Sequence, residues 1–176
     1  ALQLICGGVG DLLDHLDEQD CVTFTGSAST GRKLKTHPNI VSRAIPFNME
    51  ADSLNCSILG ETVAPGDVEF DLYVREVARE MSMKAGQKCT AIRRLLVPED
   101  RTDAVIEALK KRLAGIAIGD PAVEGVKMGS LVGRDQVRDV WSSVHALMAE
   151  AEPVYGAAED FVVQGADRDK GAFFPL

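Results

Sequence analysis

No two of the four cysteines, at 6, 21, 56 and 89, form a CxxC pair. Nor do they reach zinc-site spacing with the histidines at 15, 37 and 145. This excludes the usual zinc motifs and the dense disulfide framework of a small secreted scaffold; reduced thiols in a cytoplasmic protein fit better. No apolar run approaches the roughly 20 residues that cross a bilayer, so no membrane partner is expected. No basic surplus exists: Lys+Arg against Asp+Glu gives 19 − 27 = −8. A nucleic-acid surface needs a concentrated basic face, so no nucleic-acid partner is expected. There is no initiating Met, signal peptide, internal repeat or low-complexity stretch. The chain opens mid-pattern on "ALQLICGG" and stops at "GAFFPL", which suggests an internal piece of a longer protein. What is present is 45% hydrophobic and 26% charged residues in 176, enough to bury a core in one domain or two small ones.

The periodicities alternate. "LQLICGG" reads as a short strand and "DLLDHLDEQ" as a helix carrying Leu12, Leu13 and Leu16. "CVTFTGS" is β-rich and stops at Gly26–Ser27; "SASTGRKLK" reads as a helix that Ser27 or Ser29 can cap. "IVSRAIPFN" and "NCSILG" are further strand candidates. From Glu69 the period is helical, with Phe70, Tyr73, Val74, Val77 and Met81 on one face. Gly86 is a natural residue past the helix end. "TAIRRLLV" reads as a strand. Asp100 can cap a helix that buries Val105, Ile106, Leu109 and Leu113. "IAIGDP" turns the chain. "RDQVRDVWSSVHALMAE" is a last helix, with Val137, Val140, Trp141, Val144 and Met148 inward. Strand alternating with helix predicts an α/β fold with parallel sheets. A change of unit is expected near the loop-rich "EADSLNCSILGETVAPGD".

Cys89 lies in "SMKAGQKCTAIRR", past a predicted helix end. A helix C-terminus carries partial negative charge and disfavours a thiolate. Lys84, Lys88, Arg93 and Arg94, and the N–H groups of a tight glycine loop, would favour one. Local chemistry therefore leaves two readings: a nucleophile, or a small side chain buried at a strand start. Glu50 closes an apolar strand; it is either an exposed strand-end carboxylate or a base whose pKa is raised by desolvation. Gly26–Ser27 is either an ordinary strand–helix turn or a phosphate-approaching one at a helix N-terminus. Cys21 and Cys56 sit in apolar strand patterns and are expected in the core. Trp141 is expected as a core anchor and His145 as a surface or packing residue. Lys110, Lys111 and Arg112 form a solvated face.

The order of motifs goes further. "FTGSASTG" (Phe24 to Gly31), Glu50 at a strand end, "KAGQKCTAIRRLLVPED" (Lys84 to Asp100), "GDP" and "MGSLV" together resemble the aldehyde dehydrogenase superfamily, over most of the chain. "GDLLDHLDEQD", "IPFNMEADSLNCSILGE" and "REMSMKAGQKCTAIRR" resemble its bifunctional phenylacetate-degradation type, a dehydrogenase fused to an enoyl-CoA hydratase-like domain. The resemblance implies that residues 1–50 end a Rossmann-like dinucleotide-binding domain and that 51–176 begin a parallel-sheet catalytic domain. It implies Cys89 as the nucleophile that attacks an aldehyde, its oxyanion held in part by the Cys89 N–H. Hydride passes to a nicotinamide dinucleotide, NADP with NAD as the alternative, bound beside Gly26 and Ser27. Glu50 is then the general base for the water that cleaves the thioester. A CoA-linked semialdehyde is the implied substrate, and a homo-oligomer the implied assembly of the full-length protein.

One departure stands out. Most of the superfamily has Leu-Gly-Gly after the base; here Ala51, Asp52 and Ser53 follow, a change shared by the phenylacetate type. It bears on cofactor pose and on the mobility of Glu50. The oxyanion-hole asparagine, the adenosine-binding lysine and the ribose-holding glutamate of the superfamily fall outside these residues, so the piece alone is expected to be inactive. Two rival readings remain: a CoA-acylating dehydrogenase, against which Glu50 argues, and a non-catalytic thiol or scaffold protein of the same fold.

Overall fold

The computed structural model describes residues 2–156, 158 and 160–176. It divides into two compact units, one running to Ser53 and the other Leu54–Leu176.

The first unit is one parallel strand pair with its crossover. A 3-10 turn at Leu12–His15 precedes strand β1 (Val22–Gly26), helices α1 (Ala28–Lys35) and α2 (Pro38–Ser42), and strand β2 (Phe47–Ala51). β1 and β2 pair in parallel from Val22↔Phe47 to Gly26↔Ala51, and two helices supply the crossover that parallel strands require. Leu13, Ile40 and Ile45 are buried, with Leu16, Val22, Leu34 and Phe47 packed against them. The Asn39 amide ties the 3-10 turn to α2 by donating to the Leu13 carbonyl at 2.7 Å and the Leu16 carbonyl at 2.8 Å. Gly31 is buried because a Cβ there would collide with the Met49 thioether and the Phe24 ring. That lets α1 lie close on its strands.

The second unit carries the larger core. β3 (Cys56–Ile58) pairs in parallel with β4 (Arg94–Leu96). Between them run α3 (Val68–Ser82) and a 3-10 turn at Met83–Gly86. A 3-10 turn at Glu99–Arg101 leads into α4 (Thr102–Leu113). A second sheet follows: β5 (Ala117–Gly119), flanked in parallel by β6 (Val126–Met128) and β7 (Val163–Gln164). α5 (Arg134–Leu147) lies between β6 and β7 in the chain. Phe70, Val74, Val77 and Ala78 of α3 pack with Val105, Leu109 and Leu113 of α4 and with Leu59. These are the i, i+3, i+4 positions of an amphipathic helix. The α/β class and parallel pairing match the sequence expectation.

Several elements differ from expectation. "LQLICGG" is not a strand: Leu2, Leu4 and Ile5 are exposed, and without a pairing neighbour an apolar run has nothing to satisfy its backbone. "DLLDHLDEQ" forms only the 3-10 turn, with Leu13 its one buried residue. Ile40 to Ser42 belong to α2, because Pro38 fits a first helical turn and His37 caps it. "IAIGDP" contains the buried strand β5 rather than a turn alone. Asp100 makes no cap; it pairs with Arg101 at 2.6 Å. Met81 is exposed, and the α5 face of Val137, Val140, Trp141 and Val144 is only half-buried. Trp141 rests on Phe174 and stacks on His145. Cys21 and Cys56 are exposed, not core. On β3 the alternation turns Ser57 inward and leaves Cys56 and Ile58 outward.

Candidate active site

In the first unit the chain brings Gly26, Ser27 and Glu50 together at the carboxyl ends of two parallel strands. This is the end at which open α/β sheets bind ligands. Thr25 faces Glu50 in the register and Gly26 faces Ala51. Ser27 caps α1, its Oγ accepting from the Thr30 N–H at 3.2 Å and lying 3.1 Å from the Ser29 hydroxyl. Asp52 joins them: its N–H donates to the Gly26 carbonyl at 3.1 Å, and its Oδ1 accepts from the Ala28 N–H at 3.1 Å. Asp52 has φ 56, a conformation glycine adopts freely and aspartate tolerates through local hydrogen bonding. Asp52 thus stands in a left-handed backbone conformation and adds a carboxylate at the start of α1. Glu50 is exposed, so the desolvation expected of it is not seen.

Would a dinucleotide phosphate fit here? The first turn of α1 holds no acidic residue, and the Ser27, Ser29 and Thr30 hydroxyls crowd its N-terminus. Those donors and the helix dipole suit an anion. Asp52 holds the Ala28 N–H. Gly26 has its own packing reason, since a Cβ would run into the Phe24 ring. The residues fit the group, with the Asp52 and Glu50 carboxylates as opposing charges.

Cys89 belongs to the second unit. After α3 the chain reverses through Lys84 (φ 52), Ala85 (φ 52) and Gly86 (φ 71). Left-handed backbone costs on the order of 1–2 kcal/mol for each non-glycine residue. Such strain persists only where the surroundings enforce it, and here they do. Gln87 accepts from the Val132 N–H at 2.9 Å and donates to the Lys84 carbonyl at 2.9 Å. Lys88 pairs with Glu80 at 2.7 Å. The Arg93 guanidinium donates to the Lys88 carbonyl at 3.2 Å. Asn55 donates to the Cys89 carbonyl at 2.7 Å. Cys89 itself is exposed, which removes the buried-hydrophobe reading.

Of the cations expected to assist Cys89, Lys88 is already balanced by Glu80, and Arg93 is engaged with backbone. The residues that sequence reasoning missed are those that hold the loop: Asn55, Gln87, Glu80 and, in the first unit, Asp52. Gln87 carried a signal as part of the quoted motif, and Asp52 as part of the departure that follows Glu50. Among the described residues, no three His, Cys, Asp or Glu side chains are placed to hold a metal. No helix is long and apolar enough to cross a membrane.

The chain belongs to the aldehyde dehydrogenase family, whose model matches residues 1–175. It is 47% identical over 173 residues to a 3,4-dehydroadipyl-CoA semialdehyde dehydrogenase of Aromatoleum evansii, covering 98% of this chain and 34% of that one. The fold matches a double variant of Staphylococcus aureus betaine aldehyde dehydrogenase in complex with NAD+. The TM-score is 0.79 at 26% identity, over 94% of this chain and 32% of that one. It also matches a Pseudomonas syringae aldehyde dehydrogenase with NAD+ and octanal, at TM-score 0.74 and 22% identity, over 88% of this chain and 30% of that one. The chain therefore spans about a third of the length of these relatives.

Proposed function

We propose that the protein carrying this chain oxidises a CoA-linked semialdehyde to the acid through a thioester on Cys89. The 47% identity to a CoA-semialdehyde dehydrogenase across nearly the whole chain carries this reading. The exposed, braced position of Cys89 supports it. Residues 1–50 close the dinucleotide-binding domain and 51–176 belong to the catalytic domain. Gly26, Ser27 and the first turn of α1 hold the dinucleotide, NADP with NAD as the alternative. When bound, that cofactor supplies the hydride acceptor. The full-length protein is a homo-oligomer.

The Cys89 thiolate adds to the aldehyde carbon, and the carbonyl electron pair moves to oxygen. The Cys89 N–H is one donor for that oxyanion. Once oxidation has produced the thioester, Glu50 takes a proton from water as the water oxygen adds to the thioester carbonyl. The intermediate collapses with the Cys89 thiolate leaving, and the acid is the product. Splitting the reaction this way asks for two properties in two residues: a reactive thiol and a base that outlasts the first step.

Iodoacetamide labelling of the full-length protein tests the first. Cys89 is expected to react ahead of Cys6, Cys21 and Cys56, and aldehyde is expected to protect it. Cys89→Ala should abolish production of reduced cofactor; unaltered turnover would refute the reading. Glu50→Gln should keep the burst of reduced cofactor and slow the steady state, whereas loss of the burst would take the base role away from Glu50. Release of free acid, not an acyl-CoA formed from added CoA, is the expected product.

A further inference from the structure

We propose that Asn55 is the positioning residue of the nucleophile loop, fixing the peptide plane that follows Cys89 while the Ala91 N–H and the Arg93 guanidinium hold the plane before it; this rests on Cys89 being the nucleophile. The Asn55 Nδ2 donates to the Cys89 carbonyl at 2.7 Å and to the Ala91 carbonyl at 3.2 Å. Its backbone carbonyl accepts from the Arg93 N–H at 2.8 Å and the Arg94 N–H at 3.2 Å. On the other side of Cys89, the Lys88 carbonyl accepts from the Ala91 N–H at 3.2 Å and from the Arg93 guanidinium at 3.2 Å.

A peptide group is a rigid plane, so a residue's only soft freedoms are the rotations between its two planes. With the Lys88 and Cys89 carbonyls both tied, both planes are oriented. The direction of the Cys89 Cβ follows. The Cys89 N–H lies in the same plane as the Lys88 carbonyl, so its direction is set as well. These are the two vectors the reaction needs, one for the attacking sulfur and one for the oxyanion. Cys89 is exposed, and no residue between Gly86 and Arg94 lies in a helix or strand.

The residue type follows from the same geometry. Two carbonyls facing one group need a donor with two hydrogens and no lone pair, which a carboxamide NH₂ provides. Aspartate has the same shape but would face both carbonyls with an acceptor. Leucine has the size and no donor.

The test uses the full-length protein and compares Asn55→Asp and Asn55→Leu with wild type and Cys89→Ala. The rate constant of the reduced-cofactor burst is expected to fall roughly tenfold to a hundredfold, the penalty of a reacting group misplaced by about an ångström. Burst amplitude and dinucleotide affinity should stay near wild type. In Asn55→Asp the rate should partly recover as pH falls and the introduced carboxyl gains a proton to donate. A residue that merely supports the fold would lower the melting temperature and the amplitude and leave the rate constant per active site unchanged. Wild-type burst rate constants in both variants, with Cys89→Ala inactive, would overturn the proposal and leave the nucleophile reading intact. An active Cys89→Ala would overturn both. Should Asn55→Asp fail to accumulate folded, Asn55→Ser, which keeps one donor, carries the same rate measurement.

Discussion

Lys88 and Glu80 stand 2.7 Å apart with each side chain 18% exposed, so both charges are largely removed from water. A pair of this kind adds little over two apolar side chains, but removing one partner strands the other charge. Glu80→Leu is therefore expected to destabilise the fold by roughly 3 kcal/mol, and Lys88→Met combined with Glu80→Leu to recover most of that; urea titration measures both. If the double variant is no more stable than the single, the pairing is not what holds the loop. Tyr73 gives a pH signature. Burial holds its phenol above the ordinary 10.0, while its hydroxyl donates to the Ser57 carbonyl at 3.4 Å. The fold favours the neutral phenol, so its contribution is complete below the ordinary value and is lost as pH rises through the folded one. Tyr73→Phe should flatten the alkaline arm of the stability profile and leave the neutral region unchanged in slope. At this scale the sequence made legible the residues that belong to a quoted motif, Cys89 and Gln87 among them. It concealed Asn55 and Glu80, because each acts on a partner that chain order does not make its neighbour. Cys56 misled in the opposite way: an apolar run does not say which face of its strand is buried.

Among the elements, α1 combines a structural cap with the proposed cofactor contact. Ser27→Ala is expected to cost about 1 kcal/mol through the lost cap and, in the full-length protein, to weaken dinucleotide binding as well. A loss of stability with unchanged affinity would separate the two roles against the proposal. The short sheet of the second unit turns on Gly119, where a Cβ would overlap the Gln164 backbone. Backbone cannot yield as a side-chain tip can, so Gly119→Ala should break the β5–β7 pairing. Loss of slow amide exchange at Asp120, which donates to the Gln164 carbonyl at 2.9 Å, would register it. Helices α3 and α4 were legible because twelve or more residues carry the 3.6 period. Strands β6 and β7, of three and two residues, are too short to show any period. α2 was hidden because Ile40 and Val41 look like strand residues, while Pro38 and His37 decide the matter from just upstream.

The whole molecule is acidic and two-cored. Among the described residues the second unit has a cluster of eight buried hydrophobic side chains against three in the first. Its α3 and α4 amides should therefore exchange more slowly than those of α1 and α2. Equal protection in both units would mean that burial does not set the order of opening. Spanning about a third of its relatives' length, the isolated chain is expected to oxidise no aldehyde, and the full-length protein is expected to do so. The central claim is a covalent thioester on Cys89, and the direct measurement is peptide mapping by mass spectrometry. Full-length Glu50→Gln protein would be acid-quenched during turnover with a CoA-linked semialdehyde and NADP+. The expected result is the acyl mass of the substrate on the peptide containing Cys89, and on no peptide containing Cys6, Cys21 or Cys56. Reduced cofactor formed with Cys89 unmodified, or the acyl group on another cysteine, would contradict it.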